Sequence, residues 1–160
     1  MIQSLLAKSL RRGFTLIELL LVIGIIAILA SIVIVAINPT KQLGDARNAQ
    51  RRSDVNTILN AVYQYAIDRN GALPTGIPTG TAKHICKTAY DAAGCNNGVS
   101  LRTLSGAYVV AVPADPQEAT STLCPRTATG TCYTIVQDAN GRVTVAAPGA
   151  EQSASISVTR

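Results

Sequence analysis

From Phe14 to Ile37 the chain runs for 24 residues with a single charged side chain, Glu18. At about 1.5 Å rise per residue, a helix of that length covers about 36 Å. The hydrocarbon layer of a bilayer is roughly 30 Å thick, so the run is long enough to span it. Lys8, Arg11 and Arg12 lie just before the run, and the next charge after Glu18 is Lys41. Positive charge hard against a first span holds that end in the cytoplasm, which places the C-terminal portion outside. A cleaved secretory signal has a shorter apolar region, about 7–15 residues, and a small-residue site after it. Here the run is longer and no small-x-small site stands out at its far end, so the segment is expected to stay with the protein.

Glu18 then needs a cause. A carboxylate within a spanning helix costs a few kcal/mol even on lenient insertion scales, so it calls for a partner or an interfacial position. Its surroundings are specific: Arg12-Gly13-Phe14-Thr15-Leu16-Ile17-Glu18, behind a short basic leader and ahead of an apolar helix. This stretch resembles the N-terminal signature of type IV pilins and pseudopilins. The resemblance implies that a prepilin peptidase/methyltransferase cuts between Gly13 and Phe14 and N-methylates Phe14. It also implies that Glu18 acts in subunit assembly, pairing with the N-terminal amine of a neighbouring subunit inside a helical filament. The partners so implied are other copies or related pilins, the processing enzyme, and the inner membrane before assembly. The implied location is the inner membrane, single-pass with the C-terminus outside, and then an extracellular filament.

Electrostatics agrees with that role. Cleavage would create an amine at Phe14, whose usual pKa of about 7.7–8.0 leaves it largely charged at neutral pH. An ammonium and a carboxylate in an apolar filament core each need a partner, and stranding either is costly. An unpaired Glu18 would penalise every wrong register between subunits.

Four cysteines, Cys86, Cys95, Cys124 and Cys132, fall in the expected outer part. An even count in an exported segment reads as disulfides, and four cysteines allow three connectivities. Cys86–Cys95 and Cys124–Cys132 are favoured because each pair is close in sequence and brackets a loop-like segment. A four-thiolate zinc site, the alternative, usually shows ligand spacings of about two to four residues, unlike these. The domain beyond residue 70 is small and aromatic residues are only 4% of the chain, so some staple is expected. Each bridge can contribute roughly 2.5–3 kcal/mol in the chain-entropy model.

The chain divides into a leader at 1–13, a transmembrane or filament-core helix at 14–37, a second half of that helix at 38–71, and an exported globular domain at 72–160. Within the span, Ala27 and Ser31 form a weak small-xxx-small pair. Pro39 interrupts the helix and predicts a kink there, with Asn38 able to cap a new helix that starts on the proline. From about Thr40 to Arg69, Val55, Ile58, Leu59, Val62, Tyr65 and Ala66 recur at helical spacing as one apolar stripe. Arg47, Arg51, Arg52, Asp54 and Asp68 are assigned to its polar face. Lys41, Arg47, Arg51 and Arg52 read as a solvated face or as contacts to anionic headgroups or a neighbouring subunit. Asn70-Gly71 and Pro74 end the helix.

Residues 72–106 read as a loop rich in Gly, Thr, Pro and Asn, with a short helical turn at Ser100–Leu104. Tyr108–Val112 reads as a short buried strand. Asn140-Gly141 between two apolar runs is a hairpin signal, and residues 153–159 alternate as an edge strand. The expected fold class is α+β: a long kinked N-terminal helix, membrane-spanning in its first half, packed on a small antiparallel β-sheet. Beyond residue 70 the pilin resemblance rests on this layout alone.

No phosphate-binding glycine loop, nucleophile elbow or paired-histidine zinc helix is present. His84 is alone and reads as a loop residue. Asp115 and Asp138 lack the dense acidic run of a calcium site and read as turn caps. The chain is therefore expected not to be an enzyme and to need no cofactor or metal. Removing residues 1–13 takes away three of the 14 basic side chains and leaves 11 against 9 acidic ones. So even a balance argues neither for nor against nucleic acid. The expected function is a structural subunit of a type IV pilus or pseudopilus-like filament; the alternative is a minor pilin acting as a tip binding module for DNA or surfaces. The sequence leaves open whether such a filament serves motility, adhesion, DNA uptake or secretion.

Overall fold

The computed structural model describes residues 13–119 and 129–160. The fold is α+β and divides into two compact units, Met1–Pro39 and Thr40–Arg160.

In the first unit a helix, α1, spans Leu16–Ile37. Thr15 caps its start, and its end falls on Asn38 in the left-handed conformation (φ 46°, ψ 75°). The residue before a proline is pushed out of the right-handed helical region, and Asn tolerates the left-handed one. Both effects stop the helix at Ile37. No residue of α1 is buried within the unit, and the helix is long and apolar enough to cross a membrane. Ser31 turns its hydroxyl back onto the Ile28 carbonyl at 2.7 Å, so its polar group is satisfied without leaving the helix.

A second helix, α2, spans Pro39–Asp68. Proline is tolerated at the first helical position, where its missing N–H has no partner to lose. Asn70 (φ 53°) and Gly71 (φ 91°) close α2 through a Gly71 N–H to Ala66 carbonyl bond of 2.7 Å.

Strands β1 (Lys83–Cys86), β2 (Gly130–Gln137), β3 (Val143–Ala146) and β4 (Ser157–Thr159) form one antiparallel sheet in the order β1-β2-β3-β4. The β2–β3 hairpin turns at Asn140-Gly141, where Gly141 takes φ 86° and Asp138 accepts from the backbone N–H groups of Asn140 and Arg142. Alternate residues of the sheet, Ile85, Tyr133, Ile135, Val143 and Val145, close a core with Val55, Ile58, Leu59 and Val62 of α2. Tyr65, assigned to the same stripe, is only half-buried.

Some expectations fail in this unit. Lys83–Cys86, read as loop, is strand β1. It pairs with β2 through a bulge in which Cys132 takes φ 67° and the register slips between His84 and Cys86. Tyr108–Val112, read as a buried strand, is not one. Gly106 (φ 85°) reverses the chain, so that Gly106 N–H bonds the Val109 carbonyl at 2.7 Å. The segment keeps only an isolated bridge between Ser105 and Val109, and Val110 is 93% exposed. The expected turn near Leu104 is a short 3-10 helix, Arg102–Leu104.

Candidate functional site

The residues singled out at the N-terminus lie in the first unit. Gly13 and Phe14 precede the helix in exposed backbone, and Phe14 is 84% exposed. A Cβ added at Gly13 would meet nothing within 4 Å among the described residues. The fold itself therefore does not demand glycine at this position.

Thr15 and Glu18 form a reciprocal cap. The Glu18 backbone N–H donates to Thr15 Oγ1 at 3.3 Å, while Glu18 Oε2 accepts from the Thr15 backbone N–H at 2.8 Å and from its hydroxyl at 2.7 Å. A Thr with a Glu three residues on is the capping-box spacing, which satisfies two helix-end donors at once. Both donors converge on Oε2, so among the described residues Oε1 accepts no hydrogen bond. The carboxylate is thus held at the first turn of α1. Pro39, the residue expected to kink the helix, stands at the first position of α2, with Asn38 as the interrupting residue.

In the second unit the charged groups are arranged otherwise than the sequence reading has them. Arg51 and Asp54, assigned to the polar face of α2, are 0% and 5% exposed. Arg51 is neither a solvated charge nor free for headgroups. Its Nε and Nη2 bond both oxygens of Asp115 at 2.7 and 2.9 Å. Nη1 donates to Asn48 Oδ1 and Glu151 Oε2, and Nη2 to Gln117 Oε1, at 2.9–3.0 Å. Arg47 adds two bonds of 2.6 Å to Glu151. Two guanidinium groups and two carboxylates therefore neutralise one another, which is the condition under which charge survives burial. The paired guanidinium groups hold Glu151 down to a pKa of about 2.

Asp54 accepts from Tyr133 Oη at 2.6 Å and from Gln50 at 2.7 Å. Burial and this bond raise the Tyr133 pKa. Asp138 pairs with Arg142 at 2.7 Å and caps the hairpin. Asp115 and Asp138 are thus both committed to other partners, and no group of three or more His, Cys, Asp or Glu among the described residues could hold a metal ion.

One disulfide joins Cys86 to Cys95, with Cα atoms 5.7 Å apart. His84 Nε2 lies 2.7 Å from the Cys95 carbonyl, beside the loop that this bridge closes. Cys132 is also disulfide-bonded; Cys124, the partner the spacing suggests for it, lies outside the described residues, as does most of the leader.

Sequence reasoning missed the cluster around Arg51, although a signal was present. Asn48 and Arg51 continue backwards, at spacings of three and four, the stripe that runs through Val55, Ile58 and Val62. Position, and not residue type, points them inward.

No curated protein and no solved structure matches the chain. Residues 8–34 match the family model described as the prokaryotic N-terminal methylation motif. With Gly13, Phe14 and Glu18 inside that match and an apolar helix directly behind them, the chain carries the signature of type IV pilins and prepilins.

Proposed function

We propose that the chain is a structural subunit of a type IV pilus or pseudopilus-like filament, cut between Gly13 and Phe14 and methylated on Phe14. The observation that carries this reading is the Thr15–Glu18 cap at the head of a helix with no buried residue. An apolar helix left fully exposed needs lipid or other apolar helices around it. A filament core supplies the second once the subunit leaves the membrane. Among the described residues Oε1 of Glu18 accepts no hydrogen bond, and the Phe14 ammonium of a neighbouring subunit would complement the carboxylate in charge.

The role of Glu18 separates this reading from that of a plain membrane anchor. Glu18→Ala should insert normally or slightly better, since a costly carboxylate has left the span. It should still be processed, because Gly13 and the leader are intact. On assembly the ammonium would be desolvated alone, a cost that reaches several kcal/mol, and each ~1.4 kcal/mol lowers incorporation about tenfold. Comparing sheared filaments with the membrane pool reads this directly. Wild-type filament yield from the alanine variant would show that Glu18 is only an interfacial carboxylate.

A further inference from the structure

We infer that Glu151 and Gln152 form a clamp on the first turns of α2, fixing how far that helix can unwind from its start at Pro39. The inference goes beyond filament membership and stands on the second unit alone.

The beginning of α2 has little of its own to keep it helical. The apolar core takes no residue of the helix before Val55. The buried positions ahead of it are Gly44, Asn48, Arg51 and Asp54. Gly44 is a poor helix former, and no apolar burial offsets it. Helices of this kind draw most of their stability from packing.

From Lys41 to Asn48 the polar contacts come from one loop, which also reaches Arg51 beside the Asp115 pair. The Asn48 side chain makes two bonds to the backbone of Glu151, accepting from its N–H at 3.0 Å and donating to its carbonyl at 2.9 Å. Arg47 and Arg51 grip the Glu151 carboxylate from the same helix. One residue on, Gln152 Nε2 donates to the Lys41 carbonyl at 2.6 Å. Lys41, Gly44, Asn48 and Arg51 recur at spacings of three and four, so a single face meets the loop. Gly44 leaves the room: a Cβ there would stand 2.4 Å from Gln152 Nε2. The loop takes an unfavourable backbone to reach the helix, with Gln152 and Ser153 both at φ 58°. Two consecutive left-handed residues that each carry a Cβ persist only where the surroundings over-determine them. Next to this turn, Glu151 and the Gln152 side chain are held by bonds to α2.

The clamp therefore sits at Lys41 to Arg51, and unwinding that begins at Pro39 stops there. Hydrogen exchange on the full chain in detergent micelles tests this. Gln152→Gly suits the left-handed backbone and removes only the side-chain bond to Lys41. Glu151→Gln keeps the shape of its side chain and removes the charge that Arg47 and Arg51 hold. In each variant the amides of residues 43–48 should exchange faster by about tenfold, the factor given by ~1.4 kcal/mol, while those of 55–62 keep their wild-type rates. Unchanged exchange at 43–48 in either variant, or a rise shared equally with 55–62, overturns the clamp.

Discussion

Arg51 and Asp115, 64 positions apart in the chain, meet side by side with two hydrogen bonds of 2.7 and 2.9 Å, and neither side chain is reached by solvent. Planar guanidinium and planar carboxylate match as a fork, which makes this the strongest geometry available to an ion pair. The pair ties the middle of α2 to the loop that precedes β2.

Breaking that pair from one side should be severe. Arg51→Met strands the Asp115 carboxylate, and loss of one partner of a buried pair costs about 3–5 kcal/mol. Thermal or denaturant unfolding of the second unit would show it as a lower midpoint. Arg51→Met combined with Asp115→Leu should recover part of the loss, because no charge is left buried alone. Equal destabilisation by the single and double variants would mean that packing, and not charge, dominates.

Glu151 sets an acid limit. Its folded pKa is about 2, against an ordinary 4.5, because Arg47 and Arg51 hydrogen-bond its charged form. A depressed carboxylate pKa stabilises the fold above the unfolded value, and that contribution is lost as pH falls through the folded one. Stability should therefore decline between about pH 4.5 and pH 2, with Arg47 and Arg51 the charged groups facing the carboxyl. Denaturant midpoints measured across that range should fall less steeply in Glu151→Gln than in wild type. Parallel slopes would contradict the assignment.

Tyr133 should ionise above the ordinary tyrosine range in an alkaline titration, since burial and the Asp54 carboxylate both oppose its anion. Tyr133→Phe keeps the ring and deletes the donor. Asp54 is then left with Gln50 alone, and a buried acceptor that loses a partner costs about 1–3 kcal/mol. An unfolding midpoint equal to wild type would show that water replaces the hydroxyl.

Features with a local cause could be read from sequence. The stripe from Val55 to Val62 follows the helical period, Asn38-Pro39 breaks the helix by proline sterics, and Asn140-Gly141 makes the hairpin because glycine takes the positive φ there. What escaped depends on distant partners. Arg51 looks like a surface residue until Asp115 and Glu151, 64 and 100 positions away, are brought to it. Strand β1 holds only Lys83-His-Ile-Cys86, too short for alternation to show, and it exists because β2 pairs with it. Tyr108–Val112 has strand-like composition, yet the turn at Gly106 takes it out of the sheet. At the N-terminal site the motif was visible in full, whereas the convergence of two Thr15 donors on Glu18 Oε2 needed coordinates.

The most direct measurement is the intact mass and N-terminal sequence of the chain recovered from membranes and from any sheared filament. The recovered chain should begin at Phe14 with a methyl group on its amine. Replacing Gly13 with a bulky residue should leave full-length precursor in the membrane, although a Cβ there would meet nothing within 4 Å among the described residues. A chain that retains Met1 in assembled material would contradict cleavage between Gly13 and Phe14.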